Sequence, residues 1–217
     1  MASSSRSPLT ALGLALLTLS VAAASQQPSP SRPSPPVLAG DWPAETLRDV
    51  LLSRADWKPV PSIADRAGWN GVADGLKTRI IAGGETALTA PIPALPASLF
   101  LDYLRTGNRT HFEDAMFRRR ARLHALVLAE CLEDRGRFLD AIVDTAWAVA
   151  EESSWTIPAH QTAQKATGGL PDIGEPIVDL FAAQTAHSVA WTLYLMGDRL
   201  DRASPLVRPR LAREVDR

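Results

Sequence analysis

Apolar positions recur at helical spacing through most of the chain and almost nowhere at the alternation of a strand. In the stretch 110–135, Phe112, Met116, Leu123 and Val127 fall on one face at a turn of about 100° per residue, while Phe117, Ala121, Leu128 and Leu132 fall on nearly the opposite face. A helix apolar on two sides is expected to pack between two layers. The stretch 138–152 predicts a second helix, with Phe138, Ile142 and Val149 on one stripe and Trp147 displaced from it. The stretch 177–196 is apolar nearly all round and predicts a buried helix. Shorter helices are expected over 41–54, with Asp41 as cap and Pro43 in the first turn, and over 63–83, where Gly68, Gly71 and Gly75 weaken the pattern. Another is expected over 97–106, ended by Gly107, and a last one from about residue 203 to the end. A proline-broken connector, APIPALPA, separates the third of these from its predecessor.

Glycines punctuate this array. Gly107, Gly136, Gly168 and Gly197 lie 29, 32 and 29 residues apart, and three of them share kindred contexts, RTGNRTHFEDA, EDRGRFLDAI and LMGDRLDRA. In each, glycine can adopt the left-handed conformation that ends a helix before the next begins. The spacing is too short for the tetratricopeptide repeat, whose Trp/Leu/Gly/Tyr consensus is also missing. No pair of runs carries hairpin chemistry. The fold class expected is all-α, built of antiparallel helical hairpins.

Composition narrows the setting. Of 217 residues, 46% are hydrophobic and 22% charged, enough for one sizeable core. A net charge of −1 gives no basic field for nucleic acid. The single cysteine, Cys131, permits no internal disulfide and reads as a small buried hydrophobe. Arg6, the apolar run 9–21 and the small residues Ala22, Ala23 and Ala24 read as a secretory signal peptide over 1–24. That run is shorter than the roughly 20 residues of a membrane span, so no membrane association is expected. Residues 25–40 form a Pro/Ser-rich linker, and the folded part is expected over 41–217. Together these predict a secreted or periplasmic protein. The ending RPRLAREVDR stops inside a helical pattern, so the folded part reads as truncated, the front of a longer protein.

The ordered set FEDAMFRRRARLHALVLAECLEDRGRFLDAI, then the loop Trp155 to His160, then VDLFAAQTAHSVAWTLYLMGDRLD resembles the N-terminal helical region of heparinase II/III-like polysaccharide lyases. The resemblance spans about 42–217. It implies part of an incomplete α/α toroid, followed in the family by a β-rich domain that this chain lacks. It implies an acidic polysaccharide as partner, cleaved by β-elimination across uronic-acid linkages without a cofactor. That chemistry needs a cation or amide to neutralise the uronate carboxylate, a base for the neighbouring C–H and an acid for the leaving oxygen. The family's asparagine/histidine pair and tyrosine have no counterpart here, so no catalytic residue is assigned and the chain alone is expected to be inactive. Tyr103 and Tyr194 read as core.

Four residues are candidates for substrate contact. Trp155 and His160 stand on the stiff loop EESSWTIPAHQ, where an indole could stack on a sugar face and an imidazole could donate to hydroxyls or carboxylates. The alternative is that Trp155 plugs the space between two helices while His160 caps the next turn. Arg119 lies on the apolar stripe of its helix and could reach an anionic sugar, or pair with a neighbouring helix. Asp179 stands in the first turn of its helix, where a carboxylate suits the dipole. Arg118, Arg120 and Arg122 read as solvated or locally paired. His111, His124 and His187 read as packed residues without metal spacing, and no metal is expected. Two other functions fit the same chain. One is a non-catalytic helical module that binds a carbohydrate or a protein. The other is a toroidal glycoside hydrolase using carboxylates among Asp172, Glu175 and Asp179.

Overall fold

The computed structural model describes residues 42–53, 55–166 and 168–216. The signal peptide and linker expected at the N-terminus, and the expected cap Asp41, lie outside these residues. The chain divides into two units, Met1–Trp57 and Lys58–Arg217. In the first, α1 (Ala44–Val50) starts after Pro43 and buries none of its residues. The second carries the core and consists of helices; no strand occurs among the described residues.

Its helices are α2 (Arg66–Asn70), α3 (Asp74–Thr89), α4 (Ala97–Thr106), α5 (Thr110–Glu133), α6 (Leu139–Ala150), a 3-10 helix (Pro158–Ala163), α7 (Leu180–Met196), α8 (Arg199–Ala203) and α9 (Val207–Asp216). The glycine stops act as expected in part: Gly107 closes α4 in the left-handed conformation with its N–H on Tyr103 O, but Asp134 rather than Gly136 takes that conformation at the end of α5, and Gly197 ends α7 with positive φ outside the left-handed helical region. Three helices depart most from the sequence pattern. α1, expected to residue 54, ends at Val50. The helix expected over 63–83 breaks at Gly71, and its second part runs through Gly83 and Gly84 to Thr89. Gly84 is retained there by packing, since a Cβ would overlap the Ala129 methyl of α5 and crowd the Phe138 ring. The last helix, expected from about residue 203, starts only at Val207, because Ser204 precedes Pro205, which disfavours helical backbone, and Ser204 is extended after α8.

α5 is the axle of the unit. Leu123, Leu126, Val127, Ala129 and Cys131 pack with Phe138, Ile142 and Val149 and with Val189 and Met196 from α7. Burial pushes the Cys131 thiol up to about 12, so it stays protonated, as its reading as a small buried hydrophobe requires. A second cluster, Phe100, Phe112, Met116 and Ile157, closes the N-terminal end of α5, with the Phe100 and Phe112 rings edge to face at 4.9 Å. At the other end the last carbonyls of α5 lack intrahelical donors. Arg66 donates to Cys131 O at 2.7 Å and to Leu132 O at 2.9 Å. Glu130 turns back to accept from the N–H groups of Gly136 and Phe138, which fixes the turn into α6.

The sense in which helices run follows from their contacts. Phe117 meets Phe181 and Arg120 meets Thr185, so α5 and α7 advance together. Arg119 meets Pro93, and Arg122 meets Ala87 and Ala90, so the α3 end of the chain runs against α5. Arg122 with Thr145 and Arg119 with Ala148 show the same for α6. α9 packs on both α6 and α7, where Arg210 donates to Ala150 O.

Candidate functional site

Three arginines from the run FRRRAR are internal struts rather than solvated residues. Burial decides this: α5 is covered by α3, α6 and α7, so arginines at 119, 120 and 122 emerge between helices. Arg120 grips the Glu152 carboxylate with Nη1 at 2.7 Å and Nη2 at 2.5 Å, and its Nε donates to Thr185 Oγ1. The Arg120 and Glu152 side chains are only 8% and 6% exposed, which makes this a buried, bidentate ion pair. Arg119 shares the same carboxylate at 3.1 Å and also donates to Pro93 O and Ala148 O. Its Nε and Nη1 donors are engaged inside the fold. Arg122 ties Thr145 to the carbonyls ending α3. The local pairing expected for Arg120 and Arg122 is therefore replaced by long-range pairing.

Trp155 is 8% exposed and belongs to the main core, with Nε1 donating to Val149 O at 2.9 Å. That bond satisfies a carbonyl at the end of α6, so the indole caps the helix it follows. Of the two readings of Trp155, the indole packed between helices holds, and the exposed platform does not. One edge of Trp155 still lines a cleft of about 170 Å³ with Ser153, Ser154, Ile173 and Ala186.

His160 and Asp179, which stand 19 residues apart, are brought together. Asp179 is the N-cap of α7: its Oδ1 accepts from Ala182 N at 2.6 Å. Its Oδ2 lies 2.7 Å from His160 Nδ1. The Asp179 side chain is 11% exposed and the His160 side chain 40%. The imidazole packs 5.5 Å from the Phe181 ring, and Phe181 lies 5.5 Å from Phe117. Asp102 and His111 form a second pair at 2.7 Å on a more open surface. There the His111 contact, then the Thr106 hydroxyl, holds the Asp102 carboxyl below the usual range.

The Phe117–Phe181 contact continues into a cleft of about 320 Å³ lined by Met116, Phe117, Arg120, His124, Phe181, Gln184 and Thr185. Beyond it, His187 stacks edge-on to Trp191, and Trp191 to Tyr194. His124 shows much of its surface to solvent, yet burial of the rest of the ring, and then the nearby charge of His187, press its pKa below the ordinary histidine value. The second apolar stripe of α5 is thus sandwiched only at its C-terminal end: Leu132 is buried, but Phe117 is 37% exposed, Leu128 is 36% exposed, and Ala121 faces solvent. α7 is likewise not buried all round, since Ala183, Gln184, His187 and Ala190 are exposed.

The sequence reading missed Phe181, Gln184 and the placement of His124 and His187. The available signal was the second apolar stripe of α5, which had to face something other than the core. Asp172 and Glu175 instead serve their own loop, accepting from Gly174 N and Lys165 N at 2.8 Å each. Among the described residues no group of three or more His, Cys, Asp or Glu is placed to hold a metal, and no helix is long and apolar enough to cross a membrane. No protein-family model matches the chain, and no curated protein sequence matches it.

Proposed function

We propose that this chain is the helical, substrate-holding part of a secreted lyase that cleaves acidic polysaccharides by β-elimination. The observation that carries the reading is the open α5–α7 face. Two helices advance side by side, are backed by α3, α6 and α9, and leave a row of rings and amides uncovered. In an α/α toroid, inner helices run in one sense and outer helices return behind them. α5 and α7 then act as two staves of the inner wall, and Phe117 and Phe181 offer flat faces on which the C–H side of a sugar stacks. Helix α7 contains no Asp or Glu, so its exposed face presents no carboxylate to repel a polyanion. The groups that remove and return protons belong to polypeptide beyond these helices, and the chain itself binds without cleaving.

Titration of the chain with oligouronates by calorimetry tests this. Binding is expected, and Phe117→Ala with Phe181→Ala should weaken it by about tenfold to a hundredfold, the scale of one or two lost stacking contacts. Absence of binding to every uronate polymer tried, or binding indifferent to both substitutions, would sink it.

A further inference from the structure

Asp179 decides what His160 can offer a ligand, given the reading of the α5–α7 face as a sugar wall. An ionised carboxylate only accepts hydrogen bonds, so the short contact from Asp179 Oδ2 places the imidazole proton on Nδ1. In the neutral ring the other nitrogen, Nε2, then carries a lone pair and no proton. Nε2 bonds to no other group among the described residues, and the ring is partly exposed. The carboxylate cannot turn away, because its other oxygen is held by Ala182 N.

We propose that Asp179 is a positioning residue that fixes His160 as a hydrogen-bond acceptor, and that Nε2 takes the hydroxyl of a sugar ring stacked on Phe181 and Phe117. This selects among acidic polysaccharides. A uronate with a free hydroxyl on that edge supplies the donor. An O-sulfated or O-acetylated edge supplies only acceptors and sets them against a lone pair. The substrate class is therefore a uronate polymer whose hydroxyls are unmodified, its charge coming from carboxylates alone.

The experiment combines two readouts on the full chain at mildly alkaline pH. Long-range proton–nitrogen NMR reads the His160 tautomer, and calorimetry compares an unsulfated oligouronate with its O-sulfated counterpart. The wild-type chain should show the Nδ1–H form and prefer the unsulfated ligand by about tenfold, the scale of one net hydrogen bond. Asp179→Asn keeps a cap oxygen for Ala182, but its amide donates to Nδ1, so the proton moves to Nε2 and the preference should vanish or invert. His160→Ala, which leaves the cap untouched, should abolish the preference while weakening only the unsulfated ligand. An Nε2–H form in the wild type, or a preference that survives in His160→Ala, overturns the proposal. Binding of both ligands equally overturns it while leaving the sugar wall standing. Binding of neither removes both.

Discussion

The two faces of α5 carry similar residue types to different ends. On the covered side, Arg119 and Arg120 converge on the buried carboxylate of Glu152, and Leu123, Leu126 and Val127 fill the core. On the open side, Phe117, Ala121, His124 and Leu128 meet solvent beside α7. A buried ion pair joins the apolar core on one side and apolar surface lies open on the other, neither of which composition alone would assign. The difference teaches that an arginine here is structural when its guanidinium is satisfied by the fold, and that apolar surface left uncovered marks the place where something else binds.

The contrast breaks most sharply at Glu152. Glu152→Gln leaves two buried guanidinium groups with no counter-charge, and unfolding free energy should fall by about 3–5 kcal/mol, read from denaturant midpoints. Phe117→Ala on the other face should shift stability by no more than about 0.5 kcal/mol. An equal effect from both would erase the distinction. A like-for-like pair sharpens it. Leu126→Ala should cost about 2–5 kcal/mol through the lost contacts and the cavity, whereas Leu128→Ala, two residues along the same helix, should stay within about 0.5 kcal/mol.

The smallest effect is in pH. His124 has a folded pKa below its ordinary value, so as pH falls through that ordinary value the unfolded chain takes up the proton first. Stability should therefore decline on acidification, and the decline should end once the folded histidine is also protonated. His124→Gln should flatten this part of the profile, seen by comparing denaturant midpoints about one unit either side of the ordinary histidine value. A profile unchanged by the substitution would place the titration elsewhere.

Much of the fold was legible in the pattern of residues. The helix Ala97–Thr106 and its glycine stop, the long α5, and the start of α6 follow from period, caps and punctuation. What periodicity does not carry is the identity of a partner far along the chain. Arg120 looks like any surface arginine until Glu152, 32 residues later, is known to lie against it. A period also cannot tell a face that meets a second layer from one left open, so α5 was expected to be sandwiched and α7 to be buried. Loops have no period at all. Trp155 is buried because its N–H finds Val149 O, and His160 finds Asp179 because the loop between them folds back. The site residues His160 and Asp179 could be named singly, but their joining could not.

The sharing of one carboxylate by two arginines has a consequence for how the molecule comes apart. Arg119 reaches the connector at Pro93 and the end of α6, Arg120 reaches α7, and both close on Glu152. Lifting the end of α6 would part Glu152 from both guanidinium groups, and lifting the connector or the start of α7 would cost Arg119 or Arg120 one of its other acceptors, so each of the three is tied to the shared pair. Amide exchange in the connector, the end of α6 and the start of α7 should then proceed at matching rates, as a single cooperative unit latched at its middle.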